Sequence, residues 1–393
     1  MNDVLSTKAQ QIEPSATMVI ADLVRELKNQ GHDVINLSAG EPDFDTPDPI
    51  KQSAIEAIQE GWTKYTNIEG TPTLKKAIMR KLKHDNQLDY ELNQIIVSNG
   101  AKQSIYNAIM TVLNAGNEAI IPAPYWVSYL PIVKMAAAVP IIIQTTLSQN
   151  FKITPQQLEE AITPNTRLLI LNSPSNPSGV AYSKSELRAL AEILLKHPKV
   201  LILSDDIYEY ILWGADHFTN IVNVCPQLQD RTIVINGASK AFAMTGWRIG
   251  YAAAPKTIVQ AMKKIQSQST SCPNSIAQVA ATTALGYDRG YFSYMYKAYK
   301  ARHDLALQAL NQIKGVRCIP ADGAFYLFPD VREIVKRLKL PSDIELSTHV
   351  LNKTNVAVVP GSAFGSPGHI RLSCATSNKN LKEALDRLSS ILH

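Results

Sequence analysis

The chain has 393 residues, 45% hydrophobic and 19% charged, a composition that can bury a large core and predicts about two domains. Its net charge of +5 comes from 39 basic and 34 acidic residues without a long basic block. This argues against nucleic-acid binding and leaves a mild preference for small anions. The 4 cysteines lie far apart, so neither a disulfide framework nor a metal site is expected.

The N-terminal residues show no targeting pattern. Residues 1–17 lack a basic stretch followed by an apolar core, and no apolar run approaches the roughly 18 residues that a membrane span needs. We therefore expect a cytoplasmic protein that does not bind a membrane.

The first part of the chain, residues 1–47, predicts one helix at 16–31 and a turn-rich segment from residue 37 onward. Residues 48–289 alternate short β-branched runs with helical patterns, which is typical of βαβ units and a mostly parallel sheet. The predicted strands are QIIVSNG, EAIIPAP, VPIIIQTT, TRLLILNSP, KVLILSDD, TIVINGAS and IGYAAAP. We predict an α/β fold in which these residues form one large domain.

The last part of the chain, residues 290–393, predicts a long charged helix followed by short strands around GAFYLFP, VAVVPG and HIRLSCA. Together with residues 1–47 it is expected to form a smaller α+β domain.

Polar residues follow several of the predicted strands, and ligands of parallel α/β sheets bind beyond the carboxyl ends of the strands. Gly100 starts a turn into a helix, whose free N–H groups would hold a phosphate, although a plain tight turn gives the same pattern. Asn176 lies in the loop NSPSNPSG, which is equally compatible with an ordinary surface loop. Asp205 and Asp206 follow another strand, where one of them could simply cap a helix, and Tyr208 comes just after.

Lys240 follows the strand TIVINGAS among small residues, and Arg248 comes eight positions later. An exposed lysine after a strand is the simplest interpretation of this residue. Combined with the other strand ends, however, the set contains a phosphate site, a carboxylate, a phenol, an amide and an amine. These are the groups that pyridoxal phosphate needs, because a lysine forms a Schiff base with its aldehyde and a carboxylate keeps its ring nitrogen protonated.

Five motifs resemble the class I, or fold type I, pyridoxal-phosphate aminotransferases. They are SAGEPDF, NSPSNPSG, SDDIYE, KAFAMTGWRIGY and VVPGSAFG followed by HIRLS, and they occur in family order over nearly the whole chain. The similarity is closest to bacterial aspartate aminotransferases with a lysine in the GxKQ turn, here Lys102.

The resemblance implies a role for each matching position at the cofactor. Lys240 would be the Schiff-base lysine and general base, and Asp205 the partner of the ring nitrogen, while Asp206 occupies a position that varies between members. Tyr208 and Asn176 would bond the ring oxygen, and Trp126 would stack on the ring. The implied phosphate ligands are Gly100, Ala101, Lys102, Ser239, Arg248 and, from the second subunit of a homodimer, Tyr65.

The resemblance also implies a substrate site. Arg371 would bind the α-carboxylate as a fork, assisted by Asn176, Trp126 and the backbone at Gly40. The distal carboxylate of a dicarboxylic substrate would bind Lys102 and Thr17, with Ser15 as a further candidate.

The implied function is reversible amino transfer from L-aspartate to 2-oxoglutarate by a ping-pong mechanism. Activity on prephenate, or on aromatic or aliphatic amino acids, stays open. Glu13 speaks against prephenate, since members with that activity tend to carry a basic residue just before PSAT. A non-catalytic ligand sensor and a cofactor-free Schiff-base aldolase are alternatives from other classes; the first needs a DNA-binding extension, and the second leaves Asp205, Tyr208 and Arg248 without a role.

Overall fold

The computed structural model describes residues 4–10, 12–215 and 217–392. The helices are α1 Thr7–Gln10, α2 Ala16–Asn29, α3 Asp48–Gln59, α4 Pro72–Asn86, α5 Ala101–Val112, α6 Tyr129–Met135, α7 Pro155–Ala161, α8 Lys184–Lys196, α9 Ile221–Val224, α10 Lys256–Ser267, α11 Ser275–Ala284, α12 Ser293–Gln312, α13 Arg332–Arg337, α14 Asp343–Thr354 and α15 Asn378–Leu392. The strands are β1 Ile35–Asn36, β2 Ile95–Asn99, β3 Glu118–Ala123, β4 Val139–Gln144, β5 Thr166–Asn172, β6 Leu201–Asp205, β7 Thr232–Gly237, β8 Ile249–Ala253, β9 Tyr326–Leu327, β10 Val356–Ala357, β11 Val359–Pro360 and β12 Ile370–Ser373.

The central sheet has seven strands in the order β2-β8-β7-β6-β5-β3-β4. Its inner strands are almost wholly buried because helices cover both faces, and their sequences are correspondingly rich in isoleucine, leucine and valine. The edge strand β4 is partly exposed. All seven predicted strands are present. The sheet is mostly parallel, as expected, with β8 as the strand that runs opposite to its neighbours.

The reversed strand β8 matters for the position of Arg248. Because β8 pairs antiparallel with β2, its first residue, Ile249, lies opposite the last residue of β2, Asn99. Arg248 therefore stands at the same edge of the sheet as the carboxyl ends of the parallel strands.

The two chain ends share a hydrophobic cluster. Ile35 and Leu37 from the N-terminal segment pack with buried side chains from residues 306–392. The division into a large and a smaller domain stays a prediction, with which this shared cluster is compatible. Helix α12 belongs to both parts, since Met295 and Tyr299 pack in the cluster of the large sheet while Ala306 and Leu310 pack with the chain ends.

No helix within the described residues is long and apolar enough to span a bilayer.

Candidate active site

A cavity of about 460 Å³ opens at the carboxyl edge of the large sheet, between the sheet and the chain ends. Its lining includes most of the predicted site residues: Thr17, Gly40, Ala101, Lys102, Trp126, Asn176, Asp205, Tyr208, Ser239, Lys240, Arg248 and Arg371. Four of the lining side chains are cationic and two, Glu41 and Asp205, are acidic. The cavity therefore favours anionic ligands, as the sequence suggested.

Lys240 extends into this cavity, and its Nζ donates a hydrogen bond of 2.6 Å to the carbonyl oxygen of Gly40. Burial lowers its pKa to about 8, an effect that the nearby charges of Arg371 and Arg248 strengthen and that Glu41 and Asp205 oppose. An amine with such a pKa is available in its neutral, nucleophilic form at physiological pH.

Asp205, the last residue of β6, is 4% exposed. Its Oδ2 accepts a 2.5 Å hydrogen bond from the Tyr129 hydroxyl, and its Oδ1 accepts a weaker one from the Ile207 amide. Burial raises its pKa to about 6, while these hydrogen bonds and Lys240 oppose the rise. Asp205 thus stays mostly ionised at neutral pH, and a cationic ring nitrogen would favour the ionised form further.

Asp206 does not line the cavity. Its carboxylate accepts hydrogen bonds from Ser204 Oγ at 2.7 Å and from Asn220 Nδ2 at 2.6 Å. The two adjacent carboxylates therefore have separate partners, and of the two only Asp205 faces the cavity.

Tyr208 and Asn176 are both buried and reach the cavity from neighbouring loops. The Tyr208 hydroxyl is 2.8 Å from the hydroxyl of Tyr326. Asn172, at the end of β5, fixes both loops: its amide donates to the Asp205 carbonyl and its Oδ1 accepts from the Asn176 amide, each at 2.8 Å. The loop NSPSNPSG therefore forms part of the cavity wall and is not an ordinary surface loop.

The turn between β2 and α5 forms another wall. Gly100 has φ of 86°, and a Cβ there would lie 2.2 Å from Arg248 Nη2. A Cβ at Gly250 would lie 2.1 Å from the Ala101 amide nitrogen, so β8 and the start of α5 touch through their backbones. Glycine is required at both positions, and the arrangement leaves the α5 N-terminus and Arg248 beside each other.

Arg248 completes this wall, and Ser239 lines the cavity as well. Arg248 donates to the carbonyl oxygens of Thr245 at 2.9 Å and Asn99 at 3.3 Å, and no carboxylate among the described residues pairs with it. An anion placed at the start of α5 would supply the missing negative charge.

Arg371 is 1% exposed and lies on β12. Its Nη1 donates to Asn176 Oδ1 at 3.0 Å and its Nη2 to the Ser38 carbonyl at 2.6 Å, while its Nε is buried without a partner in the described structure. Its guanidinium lies over the rings of Tyr326 and Phe364, at 4.5 and 5.0 Å from their centroids. A buried cation without a carboxylate is costly, so this site is arranged for an anionic ligand.

Lys102, the second residue of α5, and Thr17, near the start of α2, both line the cavity. Lys102 Nζ is 5.1 Å from the centroid of the Trp126 ring, and burial together with Arg248 lowers its pKa. Thr17 lines the cavity at the start of α2. Ser15 does not line the cavity; its hydroxyl is 2.9 Å from that of Thr17, so it acts on the cavity at most through Thr17.

Tyr65 does not reach the cavity of its own chain. Its side chain is 91% exposed, which is compatible with the predicted contact to a second subunit.

The structure adds site residues that the sequence did not identify: Tyr129, Tyr326, Glu41 and Thr245. The Thr245 hydroxyl donates to Glu41 Oε2 at 3.0 Å across the cavity mouth. Glu41 lies within the quoted motif SAGEPDF, whereas Tyr129 and Tyr326 gain their importance from contacts with Asp205 and Tyr208 that are remote in sequence.

Residues 32–388 match the family model described as aminotransferase class I and II. The chain belongs to this family. It is 51% identical to the aspartate/prephenate aminotransferase of Nitrosomonas europaea, over 99% of both chains, and 46% identical to an aspartate aminotransferase of Rhizobium meliloti, over 98% of this chain and 95% of that one.

Solved structures give the same result for the fold. The aspartate aminotransferase of Rhizobium meliloti superposes with a TM-score of 0.94 at 44% identity, covering 99% of this chain and 98% of that chain. The Thermus thermophilus enzyme with maleate superposes with a TM-score of 0.93 at 40% identity, covering 99% of each chain. The aminotransferase fold predicted from the motifs is confirmed.

Aminotransferases of this family use pyridoxal phosphate, and the cavity residues fit this cofactor. The close contacts at Gly100 and Gly250 bring the start of α5 and the Arg248 guanidinium side by side, where both could bind a phosphate. Lys240 and Asp205 face the same space, with an amine for the aldehyde and a carboxylate for the ring nitrogen.

The pKa of Lys240 can be tested on the cofactor-free protein. We expect its modification by an amine-selective reagent to rise with pH around a midpoint of about 8, because only the neutral amine reacts. Glu41→Gln should lower the midpoint, since Glu41 favours the protonated form. Peptide mass spectrometry quantifies modification of Lys240, and a midpoint at 10.5, the ordinary lysine value, would contradict the assignment.

Proposed function

We propose that this aminotransferase transfers the amino group of L-aspartate to 2-oxoglutarate, giving oxaloacetate and L-glutamate, with pyridoxal phosphate as its cofactor. The observation that carries the proposal is that one cavity contains both Lys240 and the fully buried Arg371, which has no carboxylate partner among the described residues. The aspartate aminotransferase names of the relatives support the same substrate. The free cysteines suit the cytoplasm, which we propose as its location.

The cofactor, when bound, supplies an aldehyde that exchanges amines and a ring that withdraws electrons from the substrate α-carbon. Lys240 would hold the aldehyde until substrate displaces it, and would then take up and return the α-proton. Its lowered pKa suits both tasks, because the amine is basic enough to accept a proton and is not permanently charged.

Asp205, on the floor of the cavity, would keep the ring nitrogen protonated. Tyr129 and the Ile207 amide hold the carboxylate in one orientation. A fixed, buried negative charge stabilises positive charge on the ring by a preorganised electrostatic interaction. The other proposed cofactor contacts are Trp126 on the ring face, Tyr208 and Asn176 at the ring oxygen, and the Gly100, Ala101 and Lys102 backbone, Ser239 and Arg248 at the phosphate.

Arg371 would bind the substrate α-carboxylate. Its unpartnered Nε and the adjacent Nη form the edge of the guanidinium that can bind both carboxylate oxygens. Asn176 binds the other side of the guanidinium. Gly40, which has no side chain, would let the carboxylate approach the backbone. Lys102 and Thr17 would bind the distal carboxylate.

The decisive experiment is a single half-reaction. The protein loaded with pyridoxal phosphate is mixed with L-aspartate and no oxo acid; we expect the absorbance spectrum of the bound cofactor to change and one equivalent of oxaloacetate to appear. Lys240→Ala should abolish the reaction, whereas Lys184→Ala, which alters an exposed lysine on α8, should leave it unchanged.

Other results of this experiment identify the alternatives. Cofactor binding without any amino-acid turnover would indicate a ligand sensor. Turnover of aromatic or aliphatic amino acids in preference to aspartate would leave Lys240 in its role and remove the proposed role of Lys102.

The role of Lys102 predicts a selective loss. Lys102→Met should lower kcat/KM for aspartate by about 10- to 100-fold, the effect of losing one charge-assisted hydrogen bond, and change that for alanine little. The backbone of residue 102 is unchanged, so cofactor binding should persist. Equal losses for aspartate and alanine would show that Lys102 does not bind the distal carboxylate.

We further propose a homodimer in which Tyr65 of each subunit contacts the cofactor phosphate of the other. Tyr65 is exposed, as are three further large apolar residues that precede it closely in sequence, Ile55, Ile58 and Trp62. Several exposed large apolar residues in one segment are typical of a subunit interface.

Mixed dimers test the contact of Tyr65. Tyr65→Ala alone should weaken cofactor binding by about tenfold, corresponding to one hydrogen bond. In hybrids of Tyr65→Ala and Lys240→Ala subunits, the site that keeps Lys240 receives an intact Tyr65, so cofactor affinity at that site should return to the wild-type value. Affinity that stays weak would place Tyr65 in the site of its own subunit.

Prephenate is a second candidate amino acceptor, favoured by the name of the Nitrosomonas europaea relative. Against it stands Glu13, an exposed acidic residue four positions before Thr17. In the test, the aminated enzyme is mixed with prephenate in place of 2-oxoglutarate. Transfer of the amino group to prephenate would show a second acceptor, and no transfer would leave 2-oxoglutarate as the proposed acceptor.

A further inference from the structure

Tyr326 occupies a central position in the cavity. It lies on β9, opposite Ser373 of β12, and is therefore a diagonal neighbour of Arg371 on the same small sheet. Its side chain is 1% exposed. Its ring lies 4.5 Å from the Arg371 guanidinium, and its hydroxyl lies 2.8 Å from that of Tyr208.

The tyrosine pair connects two parts of the protein. Tyr208 follows β6 of the large sheet, whereas Tyr326 belongs to the sheet that carries Arg371. A Cβ at Gly40 would lie 3.3 Å from the Tyr326 hydroxyl, so the phenol fills the space between Tyr208 and the Gly40 carbonyl that binds Lys240.

Each phenol has one hydrogen to donate, which sets the direction of this hydrogen bond. If Tyr208 donates to the ring oxygen of the cofactor, as its proposed role requires, it must accept from Tyr326. Tyr326 then fixes the Tyr208 hydroxyl and polarises it, because hydrogen bonds in a chain strengthen one another.

We propose that Tyr326 is a positioning residue that orients the Tyr208 hydroxyl toward the cofactor and links it to the carboxylate-binding Arg371. This inference rests on the proposed function of Tyr208 and extends it to a residue on the opposite wall. The positive charge of Arg371 over the Tyr326 ring makes the Tyr326 hydroxyl a better donor. When a bound carboxylate neutralises this charge, Tyr326 becomes a weaker donor and polarises the Tyr208 hydroxyl less.

The test is a pH titration of the absorbance of the bound cofactor in wild type, Tyr326→Phe, Tyr208→Phe and the double variant. A donor to the ring oxygen stabilises its anionic form, so weaker donation raises the midpoint of the titration. Tyr326→Phe should shift the midpoint in the same direction as Tyr208→Phe, and the double variant should shift it no further than Tyr208→Phe alone.

Kinetics with aspartate separate the hydroxyl from the ring. Tyr326→Phe keeps the ring beneath Arg371, so kcat should fall by about 3- to 10-fold with KM nearly unchanged. Tyr326→Leu also removes the ring and should raise KM. Tyr299→Phe is the matched control, since it removes a buried tyrosine hydroxyl that does not line the cavity, and should change neither quantity.

A wild-type midpoint in Tyr326→Phe, or independent shifts that add in the double variant, would overturn the inference. The titration needs only bound cofactor. A wild-type protein that titrates but does not convert aspartate would instead contradict the proposed aspartate aminotransferase function.

Discussion

The buried guanidinium of Arg371 is the constraint on which the cavity depends. Removing a cation from water without a carboxylate partner is expensive, and the fold offsets part of this cost with the Asn176 side chain, the Ser38 carbonyl and the rings of Tyr326 and Phe364. These groups come from the N-terminal segment, the large sheet and the C-terminal part of the chain. The arginine thus fixes three distant segments around one space.

The charges around Lys240 depend on the same arrangement. Arg371 and Arg248 lower its pKa, whereas Glu41 and Asp205 raise it. An incoming anion on either arginine would weaken one of the effects that lower the pKa of this amine, and so would raise that pKa. Binding of anions and the basicity of the lysine are therefore coupled through ordinary electrostatics, with no movement of the backbone required.

Local sequence features predicted the strands, the turn at Gly100 and the polar residues at strand ends because each depends on neighbours in sequence. The apolar runs of β2 to β8 are long enough to be recognised, and Gly100 directly precedes its helix. The direction of β8 could not be predicted in this way, since it is set by pairing with β2 and β7. Tyr129 and Tyr326 could not be identified from the sequence for a related reason. Tyr129 is 76 positions from Asp205 in sequence and Tyr326 is 118 positions from Tyr208, and only folding brings each pair within hydrogen-bonding distance.

Helix α12 has a mechanical consequence. It is a continuous helix of 20 residues, with its first half packed in the core of the large sheet and its second half packed among the chain ends. A rod anchored in two cores does not act as a free hinge, because any displacement of one core must bend the helix or slide its packed side chains. We therefore expect any movement that widens or narrows the cavity mouth to be a small pivot about the middle of this helix, near Arg302, which forms a 2.8 Å ion pair with Asp43 of the N-terminal segment.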